Sequence, residues 1–317
     1  MKEFNEAMGA EGMSKTMKKD LTKMLDLSKQ DILDILSQAD QMKYNLQHGK
    51  EHKVLAGKTL AMIFQKASTR TRVSFETGMY QLGGHALFLS GDDLQIGRGE
   101  PVEDTARVLS RYVDGIMIRT FAQQEVEALA KWATVPVING LTDFAHPCQV
   151  LADLMTIRER MSVLEGLRLA YIGDGNNMCN SLIVGALTCG LQVAVAVPKG
   201  HEPHADVLAF ARGKPFTLTT NPQEAAEKAD VLVTDVWASM GQEAETAARQ
   251  KNFAGFQINQ GLLDIANPKA IVLHCLPAHR GEEITAEVFD KHADTIFNEA
   301  ENRLHAQKAV MALLMGK

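Results

Sequence analysis

Short apolar stretches alternate with longer amphipathic ones, and the chain runs through this pattern twice. From Lys58 onward, strands are predicted at 59–64, 86–89, 115–118 and 135–138, with helices between them at 70–82, 102–112 and 125–133. A strand, a helix and another strand in succession imply parallel neighbours, because the helix carries the chain back across one face of the sheet. A long helix is predicted over 148–163. After Gly166 the alternation restarts, with strand 168–172, helix 177–189, strand 192–197, helix 205–211 and strands near 216–219, 231–234 and 271–273. The expected architecture is α/β: two doubly wound parallel-sheet domains, with a final helix at about 303–314 packing back on the first. The expected limits are an N-terminal extension at 1–20, a first domain at 21–164 together with 303–317, and a second domain at 165–302. Ser28 and Asp31 have capping-box spacing, opening a helix whose stripe is Ile32, Leu33, Ile35, Leu36 and Ala39.

Composition narrows the class of function. Hydrophobic residues at 45% and charged residues at 23% of 317 are values of a soluble globular protein. A net charge of -6 argues against a nucleic-acid partner, which calls for a concentrated basic surface. No apolar run approaches the ~20 residues that span a bilayer. Residues 1–20 place Glu3, Glu6 and Glu11 among lysines, with no arginine and no apolar core, so neither a signal nor a transit peptide is expected. Cys148, Cys179, Cys189 and Cys275 lack paired spacing and read as reduced thiols of a cytoplasmic protein.

Two open α/β domains turn their strand C-termini toward a shared cleft, and each polar cluster below follows a predicted strand. After 59–64 comes Ser68-Thr69-Arg70-Thr71-Arg72 at a helix start. Free N–H groups and the helix dipole favour an anion there, and Arg70 adds a planar donor suited to phosphate oxygens. Taken alone, the stretch reads equally as an ordinary capped helix. Arg70 and Arg72 point to different sides, and Arg72 has Glu76 four residues on as a partner. His146-Pro147-Cys148-Gln149 opens the long helix; by itself His146 reads more readily as a satisfied buried histidine. Asp235 through Gly241 follows strand 231–234. Its carboxylate suits an ammonium, and Ser239 with nearby backbone N–H groups suits a carboxylate, although a glycine-containing turn is the plainer reading. Gly173-Asp174-Gly175 lacks the third glycine and the following acid of a dinucleotide fingerprint.

Together these motifs resemble the aspartate and ornithine carbamoyltransferases from about Leu21 to the C-terminus. The resemblance implies that Ser68, Thr69, Arg70 and Thr71 hold carbamoyl phosphate, with Gln95, Arg119, His146, Gln149, Cys275, Leu276 and Arg303. It gives Arg119, His146 and Thr71 the carbonyl oxygen and Gln149 the carbamoyl amino group. The loop with Ser239-Met240-Gly241 and the His274-Cys275-Leu276-Pro277 run are similar to the ornithine-using members, whereas the aspartate enzymes carry Pro-Leu-Pro at the latter place. By the same likeness, Asn177, Asp235, Ser239 and Met240 bind ornithine, and Arg119, His146, Asp235 and Cys275 carry the chemistry. The implied partners are carbamoyl phosphate, L-ornithine and further copies of the chain in a homotrimer or an assembly of trimers, with Gln95 reaching a neighbour's site. No cofactor and no metal are expected, because the cations are side chains. Competing readings are a carbamoyltransferase for putrescine or an N-acylated ornithine, a nucleotide-dependent oxidoreductase, and a non-catalytic binding protein.

Overall fold

A computed structural model of the chain describes residues 19–238 and 246–316. The first half contains α1 (Lys29–Gln47), β1 (Thr59–Phe64), α2 (Thr69–Gln81), β2 (His85–Ser90), α3 (Val102–Leu109), β3 (Gly115–Arg119), α4 (Gln123–Trp132), β4 (Val137–Leu141) and α5 (Pro147–Met161). The second continues with β5 (Arg168–Ile172), α6 (Asn177–Thr188), β6 (Gln192–Ala196), α7 (Ala205–Ala211), β7 (Phe216–Thr219), α8 (Pro222–Ala226), β8 (Val231–Thr234) and α9 (Thr246–Asn252). It ends in α10 (Gln260–Ile265), β9 (Ile271–His274), α11 (Ala286–Lys291) and α12 (Ala293–Met315). Two parallel sheets result, in the orders β2-β1-β3-β4 and β7-β6-β5-β8-β9. Each order reverses once, between β1 and β3 and between β5 and β8. Open α/β sheets take ligands in the crevice at such a reversal.

The central strands are covered on both faces, so they read as nearly continuous apolar runs. Along β1, Leu60, Met62 and Phe64 face one core while Ala61 and Ile63 face another. Along β5, Leu169 and Tyr171 share the core of Leu60, and Ala170 and Ile172 turn to a third. One apolar core thus runs from the first sheet to the second through residues of α5, α6 and α12. Each fully buried large side chain in it contributes roughly 1.5–3 kcal/mol. Helix α12 packs on α1, α2 and α5, as the sequence predicts. The capping box of α1 is present: Asp31 N donates to Ser28 Oγ and Ser28 N to Asp31 Oδ2.

Two expectations need correction. The fourth strand lies at Val137–Leu141, not 135–138: Pro136 accepts from Ile116 N but has no N–H to give, so two-way pairing begins at Val137. The strand continues through Asn139, whose side chain donates to Thr22 O, while Leu21 N donates to Val137 O and Leu21 O accepts from Asn139 N. Helix α12 starts ten residues before the predicted 303. Its first turns carry Asn298 and Asn302, which meet Lys43 and Glu159, and Glu299, which accepts from Gln149 and His274 N, so these polar residues escape a hydrophobic-period reading. No described helix is long and apolar enough to cross a membrane.

Candidate active site

A cleft of about 460 Å³ opens where the C-terminal ends of the two sheets face each other. Ser68, Arg70 and Thr71 enter it from the segment after β1, Arg119 from the end of β3 and His146 from the segment after β4. Opposite them stand Asn177 after β5, Asp235 after β8, and Cys275 and Leu276 after β9. Arg303 reaches the cleft from α12.

The first wall is cationic. Ser68 caps α2, accepting from Thr71 N at 3.2 Å, so the following backbone N–H groups and the helix dipole point to the cleft mouth. Arg303 is buried, donating to Gln149 Oε1 at 2.7 Å and Thr71 Oγ1 at 3.2 Å. Arg119 is 7% exposed, and burial with the charges of Arg303 and Arg70 lowers its guanidinium to about 10. Burial, then the same three arginines, hold His146 well below the usual imidazole range, so it is neutral at physiological pH. Arg119 Nε and His146 Nδ1 are buried without a hydrogen-bond partner among the described residues. Buried polar atoms left open in a cleft mark where a ligand completes the network. Arg70 crosses the cleft to donate to Leu276 O at 2.6 Å.

The second wall is built around a carboxylate. Asp235 Oδ1 accepts from the Cys275 thiol at 2.9 Å and from Val236 N at 2.8 Å, and Oδ2 from Asn176 Nδ2 at 2.8 Å. Burial first, and then Asp235, push the Cys275 thiol well above its ordinary range, so it is a protonated donor. Donor atoms of Asp235, His274 and Cys275 lie within 4.8 Å of one another. Both His274 nitrogens are engaged, however: Nδ1 accepts from Leu276 N and Nε2 donates to Glu283, each at 2.9 Å. That histidine has no lone pair left for an ion.

Other sequence candidates fall elsewhere. Thr69 is exposed and does not line the cleft. Gln149 sits behind it, its amide divided between Arg303 and the acids Asp153 and Glu299. Gln95 lies exposed in a short 3-10 turn, Gln95–Arg98, away from this cleft. Asn177 lines the cleft but donates its Nδ2 to Thr142 O at 2.6 Å. Ser239 and Met240 are outside the described residues. Sequence reasoning missed Lys66, buried against Asp143 and 4.4 Å from the centre of the Phe121 ring, although it stands two residues before Ser68. It also missed the buried pair Asp174–Arg249 (2.7 Å), whose arginine follows the 239–245 segment. The Gly173-Asp174-Gly175 turn has its own structural reason. A Cβ on Gly175 would lie 2.3 Å from His201 O, and Asn176 Oδ1 caps the start of α6.

Two parallel sheets meeting at a polar cleft, one wall cationic and the other acidic, define a two-domain α/β enzyme with its site at the seam. The chain matches the family described as "Aspartate/ornithine carbamoyltransferase, carbamoyl-P binding domain" over residues 19–159, and "Aspartate/ornithine carbamoyltransferase, Asp/Orn binding domain" over residues 165–314. It belongs to the aspartate/ornithine carbamoyltransferase family, and is a transferase. It is 56% identical over 304 residues to the ornithine carbamoyltransferase of Carboxydothermus hydrogenoformans, covering 94% of this chain and 98% of that one. The ornithine carbamoyltransferase of Syntrophotalea carbinolica is 56% identical over 301 residues, covering 94% of this chain and 100% of that one. The solved ornithine carbamoyltransferase of Pyrococcus furiosus superposes with a TM-score of 0.91 at 52% identity, covering 96% of this chain and 99% of that one.

Proposed function

We propose that the chain transfers the carbamoyl group of carbamoyl phosphate to the δ-amine of L-ornithine, giving L-citrulline and phosphate. The observation that carries this reading is the division of the cleft. Three arginines and a neutral histidine face a carboxylate and a thiol across one space, as a double anion meeting an amine requires. The relatives named above support the choice of ornithine.

In this reading carbamoyl phosphate binds first. Its phosphate lies on the helix start at Ser68, Thr69, Arg70 and Thr71, with Arg119 as a further cation. Arg119, His146 and Arg303 surround the carbonyl oxygen, and the charge that develops there as the amine attacks is met by donors already in place. A neutral imidazole can donate one hydrogen bond to that oxygen without adding a fourth positive charge. Ornithine binds next, on Asn177, Asp235, Ser239 and Met240, and closure of the second domain aligns its amine with the carbamoyl carbon. An ammonium has no lone pair, so the attacking species is the neutral δ-amine and the rate rises with pH. As the C–N bond forms and the C–O bond to phosphate breaks, the amine proton must leave. Cys275 already carries its proton, so it orients Asp235 and leaves proton acceptance to that carboxylate. Gln149 acts through Arg303.

We further assign residues 1–20 as an extension, 21–164 with 303–317 as the carbamoyl-phosphate domain and 165–302 as the ornithine domain, with a cytoplasmic location. We infer a homotrimer or an assembly of trimers, for which α2 and the edge strand β2 offer exposed apolar side chains: Val73 and Tyr80 are 54% and 81% exposed, and Phe88 is 38% exposed. Gln95 is exposed in the turn that follows β2 and would serve a neighbour's cleft.

The deciding assay is product formation from carbamoyl phosphate with ornithine, putrescine and N-acetylornithine in parallel. Citrulline is expected, at a rate far above the other products. A preference for either alternative amine would overturn the substrate assignment.

A further inference from the structure

We propose that Asn176 is a positioning residue for amine recognition, whose single amide caps α6 through its oxygen and fixes the Asp235 carboxylate through its nitrogen. The inference rests on the ornithine reading above and adds a residue to it. Asn176 Oδ1 accepts from Met178 N at 2.9 Å and Cys179 N at 3.1 Å, and the Tyr171 hydroxyl lies 3.5 Å away. Its Nδ2 donates to Asp235 Oδ2 at 2.8 Å. The amide has one workable orientation, because a flip would turn its NH2 group against two backbone N–H donors.

Capping alone does not call for asparagine here. Aspartate, serine and asparagine cap a helix about equally well. Only asparagine also offers a donor on its other side, and a carboxylate stands there. The bond crosses the reversal in the second sheet, joining the segment after β5 to the segment after β8. Asp235 Oδ1 is fixed by Cys275 and Val236, and among the described residues Asn176 is the donor to Oδ2. With both oxygens held, the carboxylate cannot rotate about its last bond, and the direction it presents to an amine is set before the substrate arrives.

The surroundings make this neutral donor hard to replace with an acid. The titratable groups facing Asp235 are Asp174 beside Asn176 after β5, Tyr171 of β5, Cys179 of α6, Cys275 after β9 and Asp153 of α5. Arg249 offsets Asp174. Another carboxylate at 176 would meet Asp235 at hydrogen-bond distance, and two such groups share a proton.

The test is a pair of variants that both retain the cap, Asn176→Ser and Asn176→Asp, assayed for citrulline formation beside the parent enzyme. A thermal midpoint within about 2–4 °C of the parent is expected for Asn176→Ser, since the cap survives, and a lower one for Asn176→Asp, which sets two carboxylates together. Asn176→Ser removes the donor without adding charge and should raise the ornithine KM about tenfold. Asn176→Asp should raise it about a hundredfold and move the acid limb of the kcat/KM profile for ornithine upward by about one pH unit. The carbamoyl-phosphate KM should stay within about twofold of the parent in both. If both variants keep the parent's ornithine KM and pH profile, Asn176 is a cap and nothing more. A parallel rise in both KM values also overturns the role, because it reports a disturbed cleft. Should Asn176→Asp fail to fold, Asn176→Ser alone decides through its KM split. A parent enzyme that makes no citrulline would instead sink the ornithine reading itself, and the amine role with it.

Discussion

The two walls of the cleft are prepared for their ligands in opposite ways. On the first, Arg119, Arg303 and His146 are buried together, each held below its ordinary range by burial and by neighbouring cations. Arg119 Nε and His146 Nδ1 have no partner among the described residues. That wall carries unfavourable charge, and an anion relieves it. On the second wall Asp235 receives three donors among the described residues, so both of its oxygens are already held. It offers direction instead of excess charge. In the proposed reading, this difference is a physical reason for carbamoyl phosphate to bind first: the crowded wall gains more from its ligand than the satisfied one does.

The sharpest way to break this contrast is Arg119→Ala. Removing one preorganised donor from a developing oxyanion should lower kcat by about 10²–10³. The thermal midpoint of the unliganded protein should stay level or rise, because a buried cation beside two others is gone. A modest kcat loss with a clear fall in midpoint would make Arg119 a structural residue and the contrast false. Asp235→Asn probes the other wall. It should cost ornithine binding about 1.5–3 kcal/mol, the usual worth of a hydrogen bond to a charged group, with near-parental carbamoyl-phosphate saturation. Equal damage to both substrates would place Asp235 wrongly.

The same contrast governs what could be seen in the sequence. The anion wall was legible because Ser68, Arg70 and Thr71 are contiguous at a helix start, where local rules of capping and dipole apply. Most strand positions were equally plain, since burial on both faces leaves continuous apolar runs such as Leu60 to Phe64. The second wall rests on pairs far apart in the chain. Asn176 to Asp235 spans 59 positions and Arg249 to Asp174 spans 75, and no periodicity encodes either. The start of α12 was hidden for a related reason. Its polar residues are satisfied by Lys43 and Glu159 on other helices, so burial there leaves no hydrophobic mark. Lys66 was overlooked beside the more conspicuous Ser68-Thr69-Arg70 run, although its burial against Phe121 could be known only in three dimensions.

Arg70→Ala tests the rim of the cationic wall. Arg70 is exposed and shares its charge with water, so its loss should weaken carbamoyl-phosphate saturation by about 1.5–3 kcal/mol, toward the lower figure. It also removes the bond to Leu276 O, so ornithine saturation should weaken slightly through poorer closure. Saturation curves for both substrates check this, and an unchanged carbamoyl-phosphate response would remove Arg70 from the phosphate site.

The smallest expected effect lies beneath the seam of the two walls. Asp153 on α5 and Glu299 on α12 are buried, with Gln149 Nε2 donating to Asp153 at 2.9 Å and to Glu299 at 2.8 Å. Glu299 also accepts from His274 N, while Gln149 Oε1 holds Arg303, so the acids touch the supports of both walls. Burial raises Asp153 to about 7 and Glu299 well above the usual carboxylate range. An acid raised in the folded state holds its proton more tightly there than when unfolded. Its contribution is therefore complete below the unfolded value of 3.8 and is lost as pH rises through about 7. Asp153→Asn keeps a neutral group at every pH. Relative to the parent, its thermal midpoint should improve between pH 5 and pH 8 by a few degrees, about 2–4 °C for roughly 1 kcal/mol in a protein of this size. Melting curves at the two pH values check the difference, which does not depend on the variant's own packing cost. A constant gap would mean that Asp153 is already ionised at pH 5, and that Gln149 and Arg303 are oriented over a permanent charge instead of a shared proton.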